Sequence, residues 1–392
     1  MEDVVIVSAV RTPIGKFGGS LKDQTARMLG TYVVKEAIKR ANLTPQDIDS
    51  GIFGNVLQSG TGQNLARQIL IDSNVPYEVP AMTINEVCGS GLKAVILGAQ
   101  QIQLDQAEIV VVGGVESMSN APHLISDYRW NQSIDDKQLI DSMINDGLTD
   151  AFSQKHMGIT AEILAEKYNI SRKEQDQFAM ESQHKAEHAQ ATGRFIDEIV
   201  PIPVENETGE TFLFDQDEYI RKNVNLKDLA KLRTPFKEGG TVTAGNASGI
   251  NDGGAALILM KKSIAESRGI KHLATIKQYA EVGIDPNYMG YSPYHAIKKL
   301  IDKAQLDINQ VDLFEINEAF AAQSIPVIRD LGIDPLKVNV NGGGIALGHP
   351  IGASGARILV TLLHEMNKTN NRLGIASLCI GGGLGLSMLV ER

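Results

Sequence analysis

The sequence predicts an α/β protein of two similar halves, the first of which carries an insert. Three observations lead there. Ala41-Asn42-Leu43 followed by Ile48-Asp49 returns 263 residues on as Ala304-Gln305-Leu306 followed by Val311-Asp312. Ser90-Gly91 with a base at Lys93 returns at 264 as Ser354-Gly355 with a base at Arg357, and Val112-Gly113-Gly114 returns at 268 as Ile380-Gly381-Gly382. Three matches in one order at nearly one spacing mark an internal duplication. At both ends, apolar strand-like runs alternate with helical patterns, as α/β folds require. Between them, 119–244 breaks the alternation with charged and polar residues. The expected units are 1–118 plus 245–270, an inserted subdomain over 119–244, and 271–392.

Taken in order, Val4 to Val7 opens the first half as a strand, and a helix follows near Thr25–Ala41. Thr44 before Pro45 reads as the N-cap and first residue of another helix. Gly51–Val56 is a strand and Ile109–Val115 a near-continuous apolar one. Between them, Leu92, Val95, Ile96, Ala99 and Ile102 fall at helical spacing, with Ala94 and Leu97 on the other face. A helix apolar almost all round is a buried one. In the insert, Ser171 and Glu174 form a capping box that starts a helix ending near Gly193. Ala255 to Met260 returns the chain to the core as a strand. The second half repeats the plan: a strand over Leu273–Ala280, a helix near Pro293–Ala304, a strand at Leu313–Asn317, a glycine-rich turn, a helix from about Ser354 and a strand at Ile375–Ile380. Apolar runs between helices predict largely parallel, buried sheets.

Composition narrows the function. The chain has 392 residues, 43% hydrophobic and 21% charged, so it can bury a large core and is not a disordered chain. A net charge of −10 argues against nucleic acid as the main partner, although a few local bases and backbone N–H groups suffice for a small anion. The opening Met1-Glu2-Asp3-Val4 lacks the basic start of a secretory signal, and no apolar stretch approaches the roughly 20 residues of a membrane span. Two cysteines make no stapling framework. The expected setting is soluble and cytoplasmic.

Those two cysteines, 291 positions apart, are both embedded in glycine: Val87-Cys88-Gly89-Ser90-Gly91 and Leu378-Cys379-Ile380-Gly381-Gly382-Gly383. A lone cysteine is most often a small buried hydrophobe. Cys88, however, stands at the start of the buried helix, where free N–H groups and the helix dipole favour a thiolate. Gly89 and Gly91 beside it would let a substrate approach the backbone. His349, in Leu347-Gly348-His349-Pro350, is either a turn histidine or the general base for a thiol. Cys379 ends a buried strand at the edge where open α/β sheets bind ligands, and is either structural or a site thiol; Asn317 ends another, where its amide either holds a water or oxyanion or bonds the adjacent turn. His184 and His188 lie on a polar helix and read as solvated. Neither cysteine has the close paired spacing of a zinc site, so no metal is expected.

Four stretches together resemble the thiolase family, over essentially the whole chain: Asn85–Ala94, Glu315–Ala321, Asn339–Gly355 and Ala376–Met388. The resemblance implies a layered α-β-α-β-α sandwich of two pseudo-duplicated halves with an inserted loop subdomain. It implies an enzyme that condenses or cleaves coenzyme A thioesters, with no permanently bound cofactor. His349 would activate Cys88 to carry an acetyl group, and Cys379 would take a proton from the methyl carbon of a second acetyl-CoA. Asn317, through a water, and His349 would form one oxyanion hole; the N–H groups of Cys88 and Gly381 would form the other. The insert is similar to the family's coenzyme-binding loop domain, which implies a tunnel lined by Leu148, His156, Arg221, Phe236, Ala244 and Ser248, with Met289 and Phe320 near the acyl pocket. Met157 and Met289 resemble the short-chain members that interconvert acetyl-CoA and acetoacetyl-CoA. Asp228 departs from the small hydroxyl residue that relatives often place beside the adenine. A homotetramer, a dimer of dimers, is also implied. The competing expectations are a broader degradative thiolase of β-oxidation, a hydrolase in which Cys379 is idle, and a non-catalytic acyl-CoA binder.

Overall fold

In the computed structural model, residues 2–130, 136–206 and 208–392 are described. Its framework is a ten-stranded mixed sheet. From one edge to the other the main path runs Leu313–Ile316, Leu373–Ile380, Leu384–Glu391, Ala274–Gly283, Val4–Arg11, Asn251–Lys261, Ile109–Ser117, Ser50–Gly54 and Ala81–Ile84, and the two-residue strand Gly15–Lys16 pairs beside Asn251.

The duplication is visible in how these strands pair. In the first half, Val4–Arg11 pairs antiparallel with Asn251–Lys261, that strand antiparallel with Ile109–Ser117, and Ile109–Ser117 parallel with Ser50–Gly54. In the second half, Ala274–Gly283, Leu384–Glu391, Leu373–Ile380 and Leu313–Ile316 follow the same sequence of antiparallel, antiparallel and parallel pairings. The two halves of the sheet join only over Val4 to Ile6 against Ala274 to Ile276. Finer detail repeats as well. The Asp49 carboxylate accepts from the N–H groups of Glu108 and Ile109, and the Asp312 carboxylate does the same for Arg372 and Leu373.

Two expectations about elements are corrected. The sheet is not largely parallel: among the described residues six consecutive strands, from Leu373–Ile380 to Ile109–Ser117, pair antiparallel, and parallel pairs occur only toward the edges. Strands buried on both faces show no alternation, and such runs carry no information about direction. The Thr44–Pro45 start leads to a three-residue 3-10 turn, Pro45–Asp47, because Ile48 is already extended. The corresponding Ile308–Gln310 is a 3-10 turn too.

Five layers result. Helices Ser90–Gln103 and Ile351–Thr369 share one apolar cluster with inward faces of strands from both halves, so they form the central layer. Ala26–Arg40 and Leu65–Asp72 cover the outer face of the first half, and Ser292–Ala304 and Ala321–Leu331 that of the second. The central helices touch backbone to backbone. A Cβ at Gly91 would lie 2.7 Å from the Ala356 nitrogen, and one at Gly355 would lie 2.5 Å from that of Leu92. The repeated Ser-Gly pair is thus one contact between the two halves.

The expected insert spans 131–135 and 207, which lie outside the described residues. Its described part holds helices Met157–Lys167 and Arg172–Ala191, and the second has the Ser171–Glu174 capping box. It also holds the short hairpins His123–Leu124 with Ile140–Asp141 and Ile202–Glu205 with Thr211–Phe214. Among the described residues no helix is long and apolar enough to cross a membrane.

Candidate active site

The two cysteine motifs meet. Cys88 precedes the N-cap Gly89 of the Ser90–Gln103 helix, and Cys379 lies one residue from the end of its strand. A Cβ at Gly89 would collide with Ile380 Cδ1 at 2.3 Å, and one at Gly381 would touch Val87 Cγ1 at 3.4 Å. Gly89 and Gly91 are therefore explained by packing against Ile380 and Ala356, not by substrate approach as the sequence suggested. Val87 has φ +47°, a left-handed conformation costly for a β-branched residue, and it turns the chain sharply at the nucleophile. Ser90 braces the turn: its hydroxyl donates to Val87 O at 2.7 Å and accepts from Glu86 N at 2.8 Å.

His349 arrives from the opposite side. Gly348 takes φ +109°, and a Cβ there would meet the Asn251 amide at 2.5 Å. That amide oxygen accepts from His349 N at 2.9 Å. The helix after His349 begins at Ile351, three residues earlier than expected, so Ser354 falls in its first turn. The Ser354 hydroxyl donates to Pro350 O at 2.9 Å and lies 2.6 Å from His349 Nδ1. With the Ser354 proton on the carbonyl, Nδ1 carries the ring proton and Nε2 keeps the lone pair. Asn317 Nδ2 sits 3.4 Å and 3.5 Å from the ring nitrogens, at the limit of hydrogen bonding.

Both thiols and the imidazole are held neutral. Burial, then the Arg357 charge, brings His349 down to about 3. Burial pushes Cys88 up to about 11, against the N–H groups of Gly381 and Cys88 itself, which point at the sulfur, while the Glu116 carboxylate adds to the rise. The depression of the thiol expected from the helix start is outweighed by desolvation. Cys379 is raised further by burial and by its neighbour Cys88.

Cys88, His349 and Gly381 line one cavity of about 90 Å³ together with Leu148, His156, Phe236, Ser248, Met289 and Phe320. Cys379 is buried directly behind it, packed with Met157, Ala247, Met289, Ala319 and Phe320. His156 stacks on Phe236 with ring centroids 4.8 Å apart, and its Nδ1 accepts from Gly158 N at 3.0 Å, which leaves Nε2–H to donate. Arg221 and Ala244 do not line the cavity. They lie together on the exposed surface, with Arg221 Nη2 3.4 Å from Ala244 O. Asp228 is also exposed and is engaged by Lys231 at 2.7 Å and Asn225 at 2.8 Å.

Several site residues were not found from sequence. Ser354 enters the sequence reading as a repeat residue and as a helix start, with no role beside His349, although its place five residues after His349 is a usable signal. Asn251, and Glu116, whose carboxylate accepts from Val56, Leu57 and Gly352 N–H groups, act across up to 236 residues and leave no local pattern.

A nucleophile turn, a fixed imidazole and a second thiol on duplicated α/β halves define an enzyme of acyl transfer. Comparison with known proteins agrees. The family models described as thiolase N-terminal domain and thiolase C-terminal domain match residues 4–263 and 270–392. The chain belongs to the thiolase family and is an acyltransferase. It is 52% identical over 392 residues, the whole of both chains, to an acetyl-CoA acetyltransferase of Cupriavidus necator. Among solved structures it resembles the Bacillus anthracis acetyl-CoA acetyltransferase with a TM-score of 0.97 and 43% identity, covering 100% of this chain and 99% of that one. The human mitochondrial 3-ketoacyl-CoA thiolase follows with a TM-score of 0.96 and 42% identity at the same coverage.

Proposed function

We propose that this protein is an acetyl-CoA C-acetyltransferase, which condenses two acetyl-CoA molecules to acetoacetyl-CoA and coenzyme A and runs the reverse cleavage. The observation that carries the reading is the meeting of Cys88, His349 and the Cys379 motif at one small apolar cavity. His349 Nε2 takes the Cys88 proton as the sulfur attacks the thioester carbonyl. The N–H groups of Cys88 and Gly381 receive the oxyanion, and the imidazolium returns its proton to the departing coenzyme A sulfur. Cys379, its own proton passed to the now neutral His349, then removes a proton from the methyl carbon of a second acetyl-CoA. Asn317 and the His349 imidazolium hold the enolate oxygen, the carbanion attacks the acetyl group on Cys88, and that sulfur leaves and takes the imidazolium's proton. A thiol raised by burial is a strong base once ionised, which suits abstraction of a proton from carbon.

Size supports the short-chain reading over a broad degradative one. At about 30 Å³ per water-sized group, about 90 Å³ holds roughly three such groups, the number of heavy atoms in an acetyl unit. Cleavage rates of acetoacetyl-CoA and of six- and eight-carbon 3-ketoacyl-CoA by free coenzyme A test this. A clear preference for the four-carbon substrate is expected, and faster cleavage of the longer ones would overturn the assignment.

The active form in this reading is a cytoplasmic homotetramer. The edge strand Ala81–Ile84, with Met82 43% exposed, supports association, since an uncovered sheet edge is a pairing surface. A protomer mass in equilibrium sedimentation would refute it.

A further inference from the structure

The acyl cavity and a much larger surface groove share a wall. The groove, about 700 Å³, is lined by Thr25, Met28, Leu57, Leu65, Ser117 and Pro122 among others. The cavity, about 90 Å³, is lined on its near side by Met118, Gly147, Leu148 and Ile351. Adjacent residues thus face opposite spaces: Ser117 the groove and Met118 the cavity. Leu57, Met118 and Ile351 belong to one apolar cluster, and Cys88 packs against it.

The partition is one side chain thick. A Cβ at Gly147, which lines the cavity, would lie 3.5 Å from Leu57 Cδ2, which lines the groove, and 3.0 Å from Ile351 Cδ1. It is also fixed in place. Leu57 N donates to Glu116 Oε1 at 3.1 Å, and Met118 Sδ accepts from Asn251 N at 3.5 Å. Leu57 and Met118 are 5% and 2% exposed, so neither is a mobile surface flap.

We propose that Leu57 and Met118 form the chain-length stop for the acyl group on Cys88, and that the groove behind them is the space a longer linear tail would occupy if the wall were removed. The proposal rests on the reading of Cys88 as acyl carrier. Four further methylenes need about 120 Å³ at roughly 30 Å³ each, which exceeds the cavity alone. With both side chains cut back, cavity and groove become continuous.

The test compares wild type with Leu57→Ala and Leu57→Ala/Met118→Ala, reading the ratio of kcat/KM for 3-ketooctanoyl-CoA to that for acetoacetyl-CoA. A rise of about tenfold or more in the double variant is expected, the scale on which apolar pockets discriminate chain length. A ratio within about twofold of wild type in folded protein overturns the proposal. A second measurement needs no coenzyme A chemistry and no double variant: alkylation of Cys88 by N-methylmaleimide and by N-octylmaleimide. Wild type should react much more slowly with the octyl reagent, and Leu57→Ala should narrow the gap. Equal rates in wild type overturn the stop. Octyl discrimination in a protein that acetyl-CoA does not acylate would sink the acyl-carrier reading and leave the wall intact.

Discussion

An imidazole serves as a base only when one nitrogen is free and the other is committed. At His349 the committing group is Ser354, whose hydroxyl is itself tied to Pro350 O and so accepts from Nδ1–H. Ser90 holds the equivalent place in the first half and braces the nucleophile turn through Val87 O. One duplicated serine therefore steadies the thiol and the other steadies its base. Ser354→Ala removes one hydrogen bond of about 1 kcal/mol, so kcat for acetoacetyl-CoA cleavage should fall about fivefold with KM nearly unchanged. A change confined to KM would mean that Ser354 acts on substrate binding. Cys88 and His349 are legible in sequence because glycine stands beside them, and Cys379 because Gly381 to Gly383 follow two residues on: glycine marks a chain forced close to something. What it is forced close to was not legible. Gly91 meets Ala356 across 265 residues, and no local pattern distinguishes a neighbouring helix from a ligand. The thiol's protonation was misjudged for a related reason: a helix start can be read locally, whereas burial and Glu116 depend on the assembled core.

Elements were legible where the local signal is strong. The Ser171–Glu174 box marks a helix start, and Thr25 caps the Ala26–Arg40 helix by accepting from Met28 N at 3.3 Å. Thr44–Pro45 carried the same kind of signal but opens a single turn, since Ile48 must already extend toward the Ser50–Gly54 strand. The contact between the two central helices makes its own prediction. Gly91→Ala puts a methyl group 2.7 Å from the Ala356 nitrogen and 3.1 Å from Gly352 O, neither of which can rotate away. It should cost about 1–3 kcal/mol in denaturant unfolding at fixed protein concentration. Gly283→Ala, whose new methyl would meet only Leu384 at 3.7 Å, should stay within about 0.5 kcal/mol. Equal costs at the two sites would show that the central helices are not packed through Gly91.

Across the whole molecule, burial of carboxylates sets the response to pH. Burial raises Glu315 to about 8 and Glu116 to about 7, so the folded protein keeps protons that the unfolded chain has released. A folded-state value above the unfolded one makes an acid's contribution fall as pH rises toward the folded value. His349 runs the other way: its lowered value gives stability that is present above the ordinary imidazole range and lost as pH falls below about 6.5. Between about pH 6.5 and 8 the raised carboxylates, with Glu86 and Glu318 added to Glu315 and Glu116, therefore outweigh His349, and Tm should decline. Glu315→Gln should flatten that decline, even though Arg357 loses its buried partner at 3.6 Å and the variant is less stable throughout. An unchanged slope would mean that Glu315 is ionised across this range. Fold class was legible at this scale because the repeat spans the chain at a nearly constant offset. Strand direction was not, because it is set by pairings between segments up to 272 residues apart, such as Val4 with Ile276.

The central claim is a division of labour between two sulfurs, and the mass of the protein after exposure to acetyl-CoA tests it most directly. Wild type and Cys379→Ala should each gain one acetyl group, located at Cys88 by peptide mapping, and only wild type should go on to release acetoacetyl-CoA. Cys88→Ala should gain none. Acetylation of Cys88→Ala to the same extent as wild type would contradict the account.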